Sequence, residues 1–162
     1  MKYSLVKMQQ LSGNEASIYS LYIEKEEQTL FDRFIRENKI SFISELKDIV
    51  SRLNSIGKSL GAREQFFKTR EGKPGDLVCA LYDIPGGKLR LYCIRFGATL
   101  IILGGGGQKP KLVRALQEVP KLEMEQKLMV KLSNEILKRQ RDKEIWFTND
   151  FMDFEGDLDL DF

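Results

Sequence analysis

Histidine is absent from the 162 residues. The side chain most often used for proton transfer near neutral pH is therefore missing, and Ser-His-Asp and Cys-His nucleophilic mechanisms are excluded. Cysteine occurs only twice, as Cys79 and Cys93, and without histidine it leaves no recognisable zinc-ligand set. Both cysteines fall in predicted neighbouring strands; buried thiols are expected, and whether they face each other depends on register. No run of eighteen apolar residues exists, so no membrane-spanning helix is predicted. The opening MKYSLVKMQQ holds no apolar segment long enough for a secretory signal. A soluble cytoplasmic protein without membrane association, metal or cofactor is expected. Internal repeats and Pro-rich, collagen-like or coiled-coil patterns are also lacking.

Basic residues are missing from one more place, the stretch from Asn149 to Phe162. It carries six acidic residues, Asp150, Asp153, Glu155, Asp157, Asp159 and Asp161. The whole chain has 24 acidic and 26 basic residues, so the part before the tail keeps 18 acidic against 26 basic, a net charge of +8. A basic body suits a polyanion, and an acidic tail could compete for the same surface. Length and the 42% apolar content predict one core of ordinary size rather than two.

The densest β-forming segment runs from Leu77 to Lys111. Leu77 to Asp83, Leu89 to Phe96 and Thr99 to Leu103 are rich in Val, Ile, Leu and Tyr and are bounded by Pro-Gly-Gly and Phe-Gly-Ala, which predicts a three-stranded antiparallel meander. Leu100 to Leu103 is apolar without alternation, so the third strand is expected inside the sheet, covered on both faces. Ser17 to Ile23 predicts another strand, and Tyr3 to Met8 is a further candidate, with Gly13-Asn14 as the turn between them.

Two helices are predicted before the meander. Glu24 to Asn38 carries an apolar stripe of Leu30, Phe31, Phe34 and Ile35. Phe42, Ile43, Leu46, Ile49, Val50, Leu53 and Ile56 follow helical spacing, with Ser41 as cap and Gly57 as terminator. A helical hairpin on one sheet face is the expectation. After the meander, Lys111 to Glu118 predicts a short helix and Leu122 to Asp142 a longer one, with Leu122, Met129, Leu132 and Ile136 on one side. Lys138, Arg139, Arg141 and Lys143 then sit where cations favour the helix dipole.

The segment Ala62 to Asp76 mixes Phe66 and Phe67 with Arg63, Lys68, Arg70 and Lys73. It admits a polyanion contact with an aromatic stacking platform, but two core aromatics beside solvated charges is the favoured reading. In the tail, Phe151, Phe154, Leu158, Leu160 and Phe162 are set among carboxylates, with strict alternation from Asp157 to Phe162. Such a segment is either a disordered solubility tail or an element that adds to the body over a basic face.

Gly104 to Gly107 invites a phosphate-loop reading, but a Walker loop needs GxxxxGK[ST] and the run continues as Gln108-Lys109-Pro110-Lys111. A permissive turn leaving a strand is expected instead, open enough for a substrate backbone, with Lys109 and Lys111 supplying charge. Arg90 shares a face with Tyr92, opposite Leu91 and Cys93. An arginine there is either paired, with Glu64, Asp83 or a tail carboxylate, or holds a phosphate in bidentate geometry. Arg95 points the other way, near a turn, and is expected at the surface.

Two helices, a meander with an arginine on its middle strand (Leu89-Arg90-Leu91-Tyr92) and a buried strand ending in Leu103-Gly104 before Gln108-Lys109-Pro110-Lys111 resemble the RelE/HigB-type toxins of bacterial toxin–antitoxin pairs. The resemblance covers roughly Ser17 to Gln117. It implies an α+β, RelE-like fold over residues 1–147, an antiparallel sheet with the helical hairpin on it and C-terminal helices around its edge, followed by an acidic tail over 148–162. It also implies metal-independent cleavage of messenger RNA on the ribosome. Arg90 matches the strand arginine that contacts the scissile phosphate, and Lys109 a basic loop position; Tyr82 and Tyr92 are the nearby tyrosines. Lys68, Arg70, Lys73, Lys88, Lys111 and Arg114 are the expected RNA contacts. The implied partners are mRNA on the ribosome and an antitoxin, of helix-turn-helix DNA-binding type, with the acidic tail as a built-in cover for the basic groove. A non-catalytic RNA- or partner-binding module and a gyrase-directed toxin are the alternatives on the same fold.

Overall fold

The computed structural model describes residues 1–82, 84–110 and 119–162. Its elements are β1 (Lys2–Lys7), β2 (Ser17–Ile23), β3 (Gln28–Thr29), α1 (Leu30–Asn38), α2 (Ile43–Ser55), β4 (Phe67–Lys68), β5 (Val78–Leu81), β6 (Leu89–Phe96), β7 (Leu100–Gln108), α3 (Val119–Arg141), β8 (Ile145–Phe147), β9 (Phe154–Gly156) and β10 (Asp159–Asp161). The architecture is α+β, with a mostly antiparallel sheet and three α-helices among the described residues. The main sheet has the order β10-β1-β2-β7-β6-β5-β4, with β3 paired to β2. Only β2 and β7 run parallel in it. The predicted meander is present as β5-β6-β7.

Alternation along the central strands sends side chains to two cores. Leu89, Leu91, Cys93, Ile101 and Leu103 face α1 and α2, packing on Phe31, Phe34, Leu46, Ile49 and Leu53. Tyr92, Ile94, Leu100 and Ile102 face Leu122, Met129, Leu132 and Ile136 of α3. The sheet therefore has helices on both faces, and α3 covers the second face rather than wrapping an edge. The unalternating run Leu100 to Leu103 is fully buried for this reason.

Helix boundaries departed from expectation where local chemistry intervened. Glu24 to Glu26 is a single 3-10 turn, Glu27 takes a left-handed φ of 54°, and α1 starts only after Thr29. Thr29 and Asp32 form a reciprocal capping box there. At α2 the N-cap is Phe42, not Ser41, and no side chain caps it. Gly57 does not end the helix: the chain winds on through a π turn, Ile56–Leu60, and stops at Gly61, whose φ is 76°. Gly57 instead lets the chain pass Leu11, since a Cβ there would stand 1.9 Å from the Leu11 carbonyl oxygen.

The glycine run is strand, not turn. Leu91 pairs with Gly106 and Cys93 with Leu103, so Gly104 and Gly105 together oppose Tyr92, a β-bulge. A Cβ on Gly104 would lie 2.4 Å from the Met129 sulfur, and one on Gly105 2.3 Å from Glu125 Oε2. Bare backbone is what allows α3 to sit directly on β7.

The acidic tail is ordered into the fold. β9 pairs with β8, and β10 adds to β1 with Tyr3 opposite Leu160. Phe154 and Leu160 are buried, and Phe162 packs on Tyr3 with ring centroids 4.8 Å apart. Its carboxylates meet Ser4, Lys7 and Tyr19, with Asp153 2.9 Å from both Lys7 Nζ and the Tyr19 hydroxyl. The tail thus adds a strand at the β1 edge, because alternating Leu160 and Phe162 find apolar partners there. No helix among the described residues is long and apolar enough to cross a membrane.

Candidate nucleic-acid interface

Arg90 stands on the middle strand of the meander, and β-alternation puts it on the α3 face with Tyr92, as its sequence position predicts. Gly107 is its cross-strand partner on β7. Arg90 is half-buried, and its Nε is shut away from solvent without a hydrogen-bond partner among the described residues. Tyr92 is buried, and burial raises its phenol above the ordinary pKa while the hydrogen bond and charge of Arg90 pull it down. Among the described residues no carboxylate forms an ion pair with Arg90, so pairing with Glu64 or the tail is ruled out there; Asp83 lies outside the described residues.

Lys88 and Lys109 flank this position. The Lys109 amide donates to the Lys88 carbonyl at 2.8 Å, one register step beyond Leu89 and Gln108. Lys88 is exposed and Lys109 half-buried. The backbone here is held from α2: Glu45 accepts from the amides of Lys88 and Leu89, each at 2.7 Å. Arg90, Tyr92, Lys88 and Lys109 are therefore brought together at one end of the β6–β7 pair.

The other expected residues lie elsewhere. Tyr82 is 49% exposed and lines a hollow of about 300 Å³ with Ser51, Arg52 and Phe66 on the α2 side of the sheet. Its carbonyl accepts from Arg52, and the Lys68 ammonium stands 5.9 Å from its ring centroid. Tyr82 thus follows the last residue of β5, paired with Lys68 and turned to the α2 side of the sheet. Phe67 is buried in the α1–α2 core, as the favoured reading of that segment holds, and Phe66 is half-buried beside it. Arg70 and Lys73 are exposed in the loop after β4. Arg95 is half-buried rather than free at the surface, its Nε donating to the Ala62 carbonyl at 2.7 Å. Lys111, Arg114 and the helix expected over Lys111 to Glu118 lie outside the described residues.

Beside the arginine runs a polar cluster that sequence reasoning missed. Glu125 of α3 is 1% exposed, and its Oε1 is 2.7 Å from both Arg33 Nη2 and Lys121 Nζ. Arg33 also meets Glu26, and Lys121 meets Glu37, joining α1 to α3 above the β7 bulge. The signal was available: Glu125 falls three residues after Leu122 and four before Met129, inside the apolar stripe of its helix.

Cys79 and Cys93 face each other across β5 and β6 as free buried thiols. Burial pushes the Cys79 thiol up to about 12 and the Cys93 thiol well above its ordinary value. Neither is an activated nucleophile. Among the described residues no group of three His, Cys, Asp or Glu side chains is placed to hold a metal ion. No family model, curated protein or solved structure matches the chain.

Proposed function

We propose that this chain is the toxin of a toxin–antitoxin pair, a RelE/HigB-like endoribonuclease that cuts messenger RNA on the ribosome with basic residues. The observation that carries the reading is Arg90: an arginine on the middle meander strand, free of any carboxylate among the described residues, with a buried unpartnered Nε and two lysines at the adjoining strand end. Helices ahead of an antiparallel meander support the reading, since the family resemblance rests on that element order.

In this reading the 2′-hydroxyl attacks the adjacent phosphorus, the 2′-O–P bond forms and the P–O5′ bond breaks. The products are a 2′,3′-cyclic phosphate and a 5′-hydroxyl. Arg90 stabilises the charge that builds on the phosphoryl oxygens. Tyr92 orients the guanidinium from its buried position rather than moving protons; water takes up the 2′-hydroxyl proton, and Lys109 protonates the leaving oxygen and regains its proton from solvent. An antitoxin would cover the Lys88, Arg90 and Lys109 end of the sheet.

A non-catalytic RNA-binding module is the second reading, favoured by one observation: Tyr92, which shares the face of Arg90, is buried and its phenol is pushed above the ordinary value by that burial. Primer extension on a translated reporter mRNA, after induction in bacteria, separates the two. New 5′ ends inside the reading frame that vanish with Arg90→Ala support the nuclease. Growth arrest without new ends would match the gyrase-directed branch, and neither effect would match the binding module.

A further inference from the structure

After Lys68 the chain leaves the β5 edge, and the segment from Thr69 to Leu77 encloses a cleft of about 740 Å³ against Val78 and Cys79. Arg70, Lys73 and Arg95 line it, with Glu64 and Asp76 as its carboxylates. Arg90 does not. Arg95 leaves β6 on the face opposite Arg90 and about 17 Å further along the strand.

The loop is built, not slack. Asp76 accepts from the Lys73 amide at 2.7 Å and the Val78 amide at 3.0 Å, so the Lys73 turn is locked. Gly72 leaves room for that carboxylate, which a Cβ would meet at 2.3 Å. Gln126 and Ser133 of α3 bind the loop at the Glu71 carbonyl and the Leu77 amide. Arg70 is held at a φ of 63°, a conformation uncommon for a residue with a side chain. Arg95 is fixed by its bond to Ala62, and the Cys79 thiol on the floor adds no charge. No ion pair or side-chain hydrogen bond engages Arg70 or Lys73 among the described residues. The result is three cations, Arg70, Lys73 and Arg95, carried along one cleft on a fixed backbone, with Glu64 and Asp76 in the lining and Glu71 in the same loop.

We propose that this cleft is a second anion site, which binds phosphate groups of a single-stranded polynucleotide independently of the Arg90 site. Two bidentate-capable arginines and a lysine on a fixed turn suit successive backbone phosphates, and the aliphatic wall of Leu77 and Val78 suits a sugar or base. The inference stands whether or not the chain cleaves RNA.

The test is fluorescence anisotropy of the full chain with a labelled oligouridylate of roughly twelve nucleotides over a salt series, with 5′-AMP as a second ligand. The variants are Arg70→Ala/Lys73→Ala, the equal-charge control Lys131→Ala/Lys138→Ala on the exposed side of α3, and Arg90→Ala. The cleft variant should bind the oligomer about tenfold more weakly, with a salt slope reduced by about 1.4 for two lost contacts, while the control stays near wild type. Weakened AMP binding alone would still establish the site, with a mononucleotide as its phosphate source. Wild-type affinity and slope for both ligands, or equal loss in the control, would overturn it. Loss confined to Arg90→Ala would place binding at Arg90 only and would likewise overturn it.

Discussion

Gly106 lies so close to Arg90 that a Cβ on it would stand 1.8 Å from the Arg90 carbonyl oxygen. The backbone that presents the arginine is thus set by a neighbour with no side chain. At Gly107, one residue on, a Cβ would meet the flexible Lys121 Cγ at 3.3 Å. Gly106→Ala should therefore cost about 3 kcal/mol, because backbone must move. Gly107→Ala should cost less than about 1 kcal/mol, because a lysine side chain can shift. Urea denaturation of both variants checks this, and equal losses would contradict the packing account.

Glu125 should be the most sensitive charged residue in the fold. Its removal leaves Arg33, 15% exposed, and Lys121 without their shared carboxylate. Glu125→Ala should destabilise by about 3–5 kcal/mol, the cost of breaking a buried pair. Removing Glu123, which pairs with Lys127 at the surface of the same helix, should cost less than about 1 kcal/mol. Denaturation midpoints of the two variants decide it.

Truncation after Gly156 removes β10, including Leu160 at 1% exposure and the Phe162 ring on Tyr3. Burial of one such apolar side chain contributes about 1.5–3 kcal/mol, so stability should fall by at least that amount. RNA affinity should stay within about twofold, apart from the small gain from lost negative charge. A large rise in RNA affinity with unchanged stability would show the tail acting as a cover instead.

How much of this was legible in the sequence depends on the range of the forces involved. The meander, the apolar stripes of α1 and α2 and the α3 face follow local periodicity, and Arg90 was placed on its face by alternation alone. The glycine run was misread because its cause is distant: Met129, Glu125 and the Arg90 carbonyl exclude side chains from β7, and none is near in sequence. The tail showed strand alternation, but its destination at β1 depended on Tyr3, Ser4 and Lys7 at the far end of the chain. Tyr82 and Tyr92 looked alike as candidate proton carriers. Only the strand boundary at Leu81 and the helix packing put one on the α2 side and buried the other.

Tyr19 should impose an alkaline limit on stability. Its hydroxyl donates to Asp153 and accepts from the Phe154 amide, and burial pushes its pKa up to about 12 from an ordinary 10. The folded state holds the phenol proton more tightly than the unfolded chain. Its contribution is therefore complete below pH 10 and is lost as pH rises from 10 through about 12. Stability measured from pH 9 to 12 should fall more steeply for wild type than for Tyr19→Phe, with tyrosinate absorbance showing one late-titrating group. Parallel curves would contradict the assignment.

The central claim is tested most directly with purified protein on ribosomes programmed with a short 5′-labelled mRNA. A fragment ending in a 2′,3′-cyclic phosphate is expected, formed at least about 100-fold more slowly by Arg90→Ala and partly restored by Arg90→Lys. No fragment from the wild-type chain, or equal cleavage by Arg90→Ala, would contradict it.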